Sequence, residues 1–579
     1  MERIEGEKFN LSLNPETKMQ GPSLKYLDTA FSILRQREKT ELGEEESWLD
    51  LAERVRPFET GLEFSSNIRE VVYNFIAKKI PKLKESVPSL TQLPEKELLE
   101  ALTKNWFSGI GEEIVGKRKE VLLATMAHVV KRIENRVTLQ VLSQLSEEEL
   151  KKLNLNGSTR DLLQDVLKTS IKADPIFIRF MAYSQLSGKP PEEAGRVVLC
   201  LPGDNKLHTL PELFPHESQF LAKRFEQILE HGGMWLEMPG GEVFKDYLKT
   251  LVDFYKELNP EKAGELQTAI EDQYEKLLAS DFPIIITPAT GGYYKEPYYD
   301  PELKISLRTP DIKYQESDWQ KMRDAMSDSL YFLGVEQFSD RVRKRKARSA
   351  LVVGGFGVNI IFNAVAQGKP NILIFLNEQI QGYDREFPEV VLKWIVNANE
   401  IFGEILTDEK REFLESISRN NTVLHEFTHA VFPGDSPERK RFGRRPYTII
   451  DEVKAEIVYR SLVPKIIEKG GLKGTKEEWA IGMLASSFQI ARDQPPGDPY
   501  YYAAIYTLND LFESGAVVMN GNQVCIKDFD LYYEVLKKAA EELLGLYRNE
   551  KMTEKKANTW IKIRCRPTEK VRKVLKIII

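Results

Sequence analysis

The sequence predicts an α+β chain that is predominantly helical, and three observations carry the prediction. Residues 1 to about 280 read mostly as amphipathic helices, with apolar residues at helical spacing and Pro, Gly and Asn as punctuation. From about Asp281 the texture turns β-rich and Gly-punctuated. From Glu389 to the end it is helical again.

Taken in order, N-I-R-E-V-V-Y-N-F-I-A-K-K-I from Asn67 and K-E-V-L-L-A-T-M-A-H-V-V-K-R-I from Lys119 are amphipathic helices. His128, in the second, and His208, His216 and His231 have no paired spacing and receive no role. D-F-P-I-I-I-T-P from Asp281, A-L-V-V-G-G-F-G-V-N-I-I-F from Ala350 and N-I-L-I-F-L-N from Asn371 read as strands of a sheet or small barrel. Between the first two strand groups, Asp318 to Leu333 reads as helix, and R-V-R-K-R-K-A-R from Arg341 reads as a solvated basic surface.

Composition narrows the function class. A chain of 579 residues with 42% hydrophobic and 29% charged residues can bury large cores, and a net charge of -6 argues against nucleic acid as a partner. Cys200, Cys525 and Cys565 are far apart and lack C-x-x-C spacing, which suggests a reducing compartment and no all-cysteine metal site. The N-terminus has no apolar signal-peptide core, and the most apolar stretch, Ala350 to Ala366, is broken by glycines and asparagines. The expectation is a cytoplasmic protein without a membrane partner.

The chemistry concentrates in T-V-L-H-E-F-T-H-A-V-F, Thr422 to Phe432. His425 and His429 are four apart, so on a helix both rings reach a single ion, and Glu426 lies one position round. Two neutral imidazoles to hold zinc and a carboxylate to take a proton from the attacking water are what a zinc hydrolase needs. With six histidines in the chain, H-E-x-x-H arises by chance on the order of once in two hundred such sequences.

A catalytic zinc takes three protein ligands, and no histidine follows His429. A third ligand from the C-terminal region must therefore be a carboxylate or a cysteine. The next helix offers T-I-I-D-E-V-K-A-E-I-V-Y-R, in which Thr448 as N-cap and Asp451 complete a capping box, making Asp451 structural. Glu452 and Glu456 share a face; one can ligate zinc while the other fixes the tautomer of a ligand histidine. The competing reading is an exposed acidic face with Lys454 and Arg460 as partners. Pro433-Gly434 ends the first helix, and Asp435 to Tyr447 is a returning basic loop.

At these residues the chain resembles the dipeptidyl peptidase III family of zinc exopeptidases. D-E-V-K-A-E, Asp451 to Glu456, is similar to its E-E-x-R-A-E motif. E-P-Y-Y-D-P, Glu296 to Pro301, resembles its E-x-Y-x-D-P segment, and G-V-N-I-I-F-N, Gly357 to Asn363, resembles its peptide-binding strand. The resemblance implies His425, His429 and Glu452 as ligands of one Zn2+, Glu426 as general base and Glu456 as the carboxylate behind a ligand histidine. It implies Tyr298 as oxyanion donor, with Glu296, Asn359 and Asn363 binding the substrate. The implied activity is release of dipeptides from the N-terminus of oligopeptides. An endopeptidase or other exopeptidase at the same site, or a peptide-binding protein without turnover, is the alternative.

The resemblance also implies two lobes around a wide cleft, one helical and zinc-bearing, one with a small β-barrel plus helices. Residues 1–310 would be the helical region leading into the β-rich lobe, 311–345 a helical segment of the zinc lobe, 346–388 the returning strands and 389–579 the catalytic lobe. The motif here is one residue shorter than the family's usual H-E-x-x-x-H. The family's downstream active-site histidine has no counterpart, and Tyr500, Tyr501 or Tyr502 is the candidate for its place.

Overall fold

The computed structural model describes residues 46–578 except 87–90, 92–93, 105–129, 187–197, 201–206, 214, 232, 288–291, 294–298, 301–302, 309–313, 357–363, 367–370, 377, 404, 434–436 and 495. The helix expected from Asn67 is part of α1 (Gly61–Ser86). Its Phe64, Ile68, Val72, Ile76 and Ile80 recur every fourth residue and are all buried, which makes one apolar stripe. The helix expected from Lys119 lies partly outside the described residues, and its described part covers 130–144. Next come α2 (Gly157–Leu186), α3 (Gly241–Phe254) and α4 (Pro260–Ala279). Asn259 caps α4 by accepting from the N–H groups of Glu261 and Lys262.

These helices share one hydrophobic core with the strands β1 (Ile284–Ile286), β2 (Leu303–Leu307) and part of β3 (Lys346–Phe356). With β4 (Ala364–Ala366) and β5 (Asn371–Leu376) they form a five-stranded sheet in the order β1-β2-β3-β5-β4. All neighbours are antiparallel except β3 and β5, which are parallel. The described strands correct the expectation of a small barrel. Closure needs the outer strands to pair, and here β1 and β4 are edges with one neighbour each.

The Gly-Gly pair in β3 has a steric cause. A Cβ on Gly354 would meet Leu167 of α2 at 2.4 Å, and one on Gly355 would meet the Leu303 carbonyl oxygen at 2.0 Å. Gly355 sits at φ 124, beside the register shift between Ile305 and Ser306, where a side chain is strained. Its freed backbone groups bond the Asn135 amide, which accepts from Gly355 N at 3.1 Å and donates to Gly355 O at 2.8 Å.

A second core gathers α5 (Tyr314–Ser327), α6 (Glu378–Trp394), α7 (Asp408–Thr428), α8 (Arg444–Glu468), α9 (Lys476–Asp493), α10 (Pro499–Glu513) and α11 (Phe529–Arg548). It also takes Ala347 from the start of β3, whereas Ala350 to Val353 of the same strand belong to the first core. A hairpin of β6 (Val517–Asn520) and β7 (Gln523–Ile526) interrupts what the sequence reads as unbroken helix. Asn520 pairs with Gln523, leaving Gly521-Asn522 as the two-residue turn, with Gly521 at φ 63. No helix among the described residues is long and apolar enough to cross a membrane.

Two contacts set how α7 lies on α9. The Phe413 ring meets the space over Gly474, and Ile417 meets Gly482, so both chains advance in the same direction along the contact. A Cβ on Gly482 would fall 2.6 Å from Ile417 Cγ2. Gly482→Leu is therefore expected to destabilise by about 1–3 kcal/mol through overpacking, against a helix-propensity gain of about 1 kcal/mol. Thermal unfolding checks this, and an unchanged melting temperature would mean that the two helices do not approach so closely.

Candidate metal centre

The centre is built where α7 ends on α8. Thr407 caps α7 by accepting from Lys410 N, and Asp408 and Glu409 favour its N-terminal turn. Eighteen residues of helix later, the ridge carrying His425 faces α8, with His425 4% and Glu426 7% exposed. His429 is the C-cap, yet its φ of -60 and ψ of -13 keep it close to helical. The four-residue spacing therefore survives the end of the helix, and the two Nε2 atoms lie 3.1 Å apart.

From α8, the carboxylates of the neighbours Asp451 and Glu452 and, one turn on, of Glu456 meet the two rings. Glu456 Oε1 lies 3.0 Å from His425 Nδ1, and Asp451 Oδ2 lies 2.8 Å from His429 Nδ1. An ionised carboxylate only accepts, so in the neutral rings each Nδ1 carries the proton and each Nε2 is the atom that would face a metal. Glu452 Oε2 faces both atoms, 3.0 Å from His425 Nε2 and 3.7 Å from His429 Nε2.

Atoms of this kind face one another only with a proton or a cation among them: burial is outweighed by the Glu452 and Glu456 hydrogen bonds, which raise His425 well above the usual imidazole range, so a metal here would take the place of a proton. Zinc at its usual bond lengths of about 2.0–2.1 Å holds tetrahedral ligands about 3.3 Å apart. The observed edges of 3.0, 3.1 and 3.7 Å bracket that value, so the donor set fits the ion in type, tautomer and spacing. His425, His429 and Glu452 are thus brought together, as the sequence expected. Glu296, Tyr298, Asn359 and Asn363 lie outside the described residues.

The surrounding charges single out Glu452. Asp451 Oδ1 is 2.5 Å from Lys454 Nζ, and Glu456 Oε2 is 2.6 Å from an Arg460 Nη. Arg345 donates to the Glu426 backbone carbonyl at 3.1 Å, and its strongest charge interaction is with the Glu426 carboxylate. All three cations are buried, at 0%, 1% and 4% exposure. Among the described residues Glu452 pairs only with the two histidines, which leaves its charge for a cation. Burial alone would raise the Glu456 carboxyl, but Arg460 and the His425 hydrogen bond hold it at about 2. Asp451 is likewise held below the usual carboxylate range, burial being outweighed by Lys454 and His429.

Four readings of the sequence are corrected here. Asp451 completes no capping box, because α8 begins at Arg444 after Gly443, and Asp451 lies in its third turn as the partner of His429. Lys454 and Arg460 do pair with acidic residues of α8, but in the interior and not on an exposed face. Asp435 to Tyr447 is not all loop, since Glu438–Phe442 is helical and α8 has already started. The basic run from Arg341 is not all solvated, since Arg345 and part of the β3 start are buried.

Among the tyrosines proposed for the missing histidine, Tyr500 stands beside the centre, its ring centroid 5.8 Å from that of His425. Asp498 caps α10 and accepts from Tyr500 N at 2.9 Å, which fixes this tyrosine in the first turn. Tyr501 and Tyr502 pack on the second core.

The expected outcome is one zinc per chain. His429→Ala or Glu452→Ala should lose stoichiometric zinc on dialysis against a mild chelator, and Glu456→Gln should keep the ion with about 10–100-fold weaker affinity. Metal analysis after dialysis decides, and full zinc retention by Glu452→Ala would remove it as a ligand.

By sequence, the chain matches no family model and no curated protein. By structure, it is similar to dipeptidyl-peptidase III from Corallococcus sp. strain EGB, with a TM-score of 0.50 and 12% identity over 84% of this chain and 91% of that one. It is also similar to DPP III from Caldithrix abyssi, with a TM-score of 0.46 and 13% identity over 80% of this chain and 93% of that one. Over most of its length, the Corallococcus comparison shows that this chain resembles dipeptidyl peptidase III in fold.

Proposed function

We propose that the chain is a zinc-dependent peptidase that releases dipeptides from the N-terminus of oligopeptides. The observation that carries the peptidase reading is the convergence of two Nε2 atoms and one carboxylate, with a buried Glu426 one position round the helix from His425. The fold shared with the Corallococcus dipeptidyl-peptidase III supports the dipeptide register.

When bound, zinc would polarise the scissile carbonyl and lower the pKa of water to about 7. Glu426 takes the proton of the attacking water and passes it to the leaving amine. Tyr298 donates its phenol proton to the developing oxyanion. Glu296 and Asn359 hold the terminal ammonium, and Asn363 contributes to peptide binding. A zinc site by itself has no preference for chain ends, so the register depends on the ammonium contact.

Glu426→Gln should retain metal and lose turnover by several orders of magnitude, because an amide accepts no proton from water. Tyr298→Phe should lower kcat by about 10²-fold or more with little change in KM, since an oxyanion donor acts in the transition state.

The register is tested by comparing a free peptide with its N-acetylated form. The native enzyme should prefer the free peptide by one to two decades in kcat/KM, the worth of a charge-assisted hydrogen bond of about 1.5–3 kcal/mol. Glu296→Gln should lose most of that preference. Equal cleavage of both forms by the native enzyme would favour an endopeptidase, and zinc binding without turnover on any peptide would favour a binding protein.

A further inference from the structure

We infer that Lys454, which touches no metal ligand, is the positioning residue that sets the orientation of His429 and through it the affinity for metal. The inference rests on the metal reading of the site. Its basis is what the single Nζ atom of Lys454 holds together.

α7 stops one residue before His429, its last carbonyls, those of Phe427 and Thr428, accept from Ala430 N and Val431 N, and the carbonyls of Val431 and Phe432 lie beyond the helix. The chain leaves that end through Phe432 at φ 51, a left-handed conformation that a bulky residue adopts only when its surroundings impose it. Lys454 Nζ donates to Val431 O at 2.5 Å and to Phe432 O at 3.3 Å. Tyr447 adds an O–H bond to the same Phe432 oxygen at 3.1 Å. The exit from the metal helix is thus pinned to α8.

The third donor of the ammonium goes to Asp451 Oδ1 at 2.5 Å, while the other oxygen of that carboxylate holds His429 Nδ1 at 2.8 Å. An ammonium has three donors, and all three are engaged. Tyr547 of α11 closes the arrangement, its ring 5.2 Å from Nζ and its hydroxyl 3.3 Å from Asp451 Oδ1. His429 is therefore held from two sides, by the backbone that follows it and by the carboxylate on its ring. Lys454 Nζ takes part in both supports, with the Tyr447 and Tyr547 hydroxyls as their second donors.

Removing that nitrogen leaves Asp451 as a buried carboxylate without its lysine and the Val431 carbonyl without the donor that pins it, while Phe432 O keeps only Tyr447. His429 then loses its fixed ring plane, whereas His425, held by Glu456 and Arg460, does not. The affected property is the geometry of one of three ligands.

The test is zinc affinity by competition with a chelator, together with the visible spectrum of the cobalt(II) form, on the native chain, Lys454→Met, Lys454→Arg and Asp451→Asn. The native chain should bind one zinc. Lys454→Met should bind it about 10–100-fold more weakly with native helical circular dichroism and an altered cobalt spectrum. Lys454→Arg, which keeps charge and donors, should recover most of the affinity. The Lys454→Met/Asp451→Asn double variant should lose less than the sum of the single losses, since both act on one ring. A folded Lys454→Met with native zinc affinity and native cobalt spectrum overturns the inference and leaves the metal reading standing. If Lys454→Met does not fold, Lys454→Gln carries the same comparison, and native affinity there overturns it equally. A native chain that binds no zinc rejects the metal reading itself.

Discussion

The pairing of buried carboxylates with buried cations along α8 is the constraint on which the centre depends. Desolvating a carboxylate costs several kcal/mol unless an opposite charge goes with it. Asp451 and Glu456 have such partners in Lys454 and Arg460, Arg345 donates to the Glu426 backbone carbonyl, and all three cations are buried. Arg460 is itself oriented by Tyr459 and Ser487, the latter on α9. The histidine rings are thus the inner layer of a network rooted in α8 and tied to α9 through Ser487.

The grouping of His425, His429 and Glu452 was legible because helical spacing is local geometry. Four residues on one helix place His425 and His429 on one face whatever surrounds them, and the same holds for Glu452 and Glu456. What packs behind them was not legible. The capping pattern Thr448 to Asp451 is also local, yet α8 begins at Arg444, and the start of a helix is decided by the chain that enters it. Three carboxylates within six residues of α8 carried a signal that a second histidine partner was available. Arg345 carried none, since nothing in a basic run distinguishes the one arginine that turns inward toward a helix eighty-one residues later.

The fold was legible at the level of texture. Continuous apolar runs such as Ile284 to Ile286 and Ala350 to Val353 are strands because both their faces are buried. Whether such strands close or stay open depends on pairing between residues far apart, which composition does not encode. The β6–β7 hairpin escaped because four-residue strands between long helices leave only the Gly521-Asn522 turn as a marker.

β3 begins in one core and ends in the other, with Arg345 immediately before its first residue. Its 11 residues, fully extended at about 3.3 Å each, make a rod of about 36 Å that neither stretches nor compresses without breaking its ladder. Arg345, the residue before the strand, donates to the Glu426 carbonyl, so one continuous element runs from the first core through the second to the helix that carries His425. The seat of that strand in the sheet is thus also the seat of the arginine that meets the end of α7, and the two cores share one backbone at the place where the histidines stand.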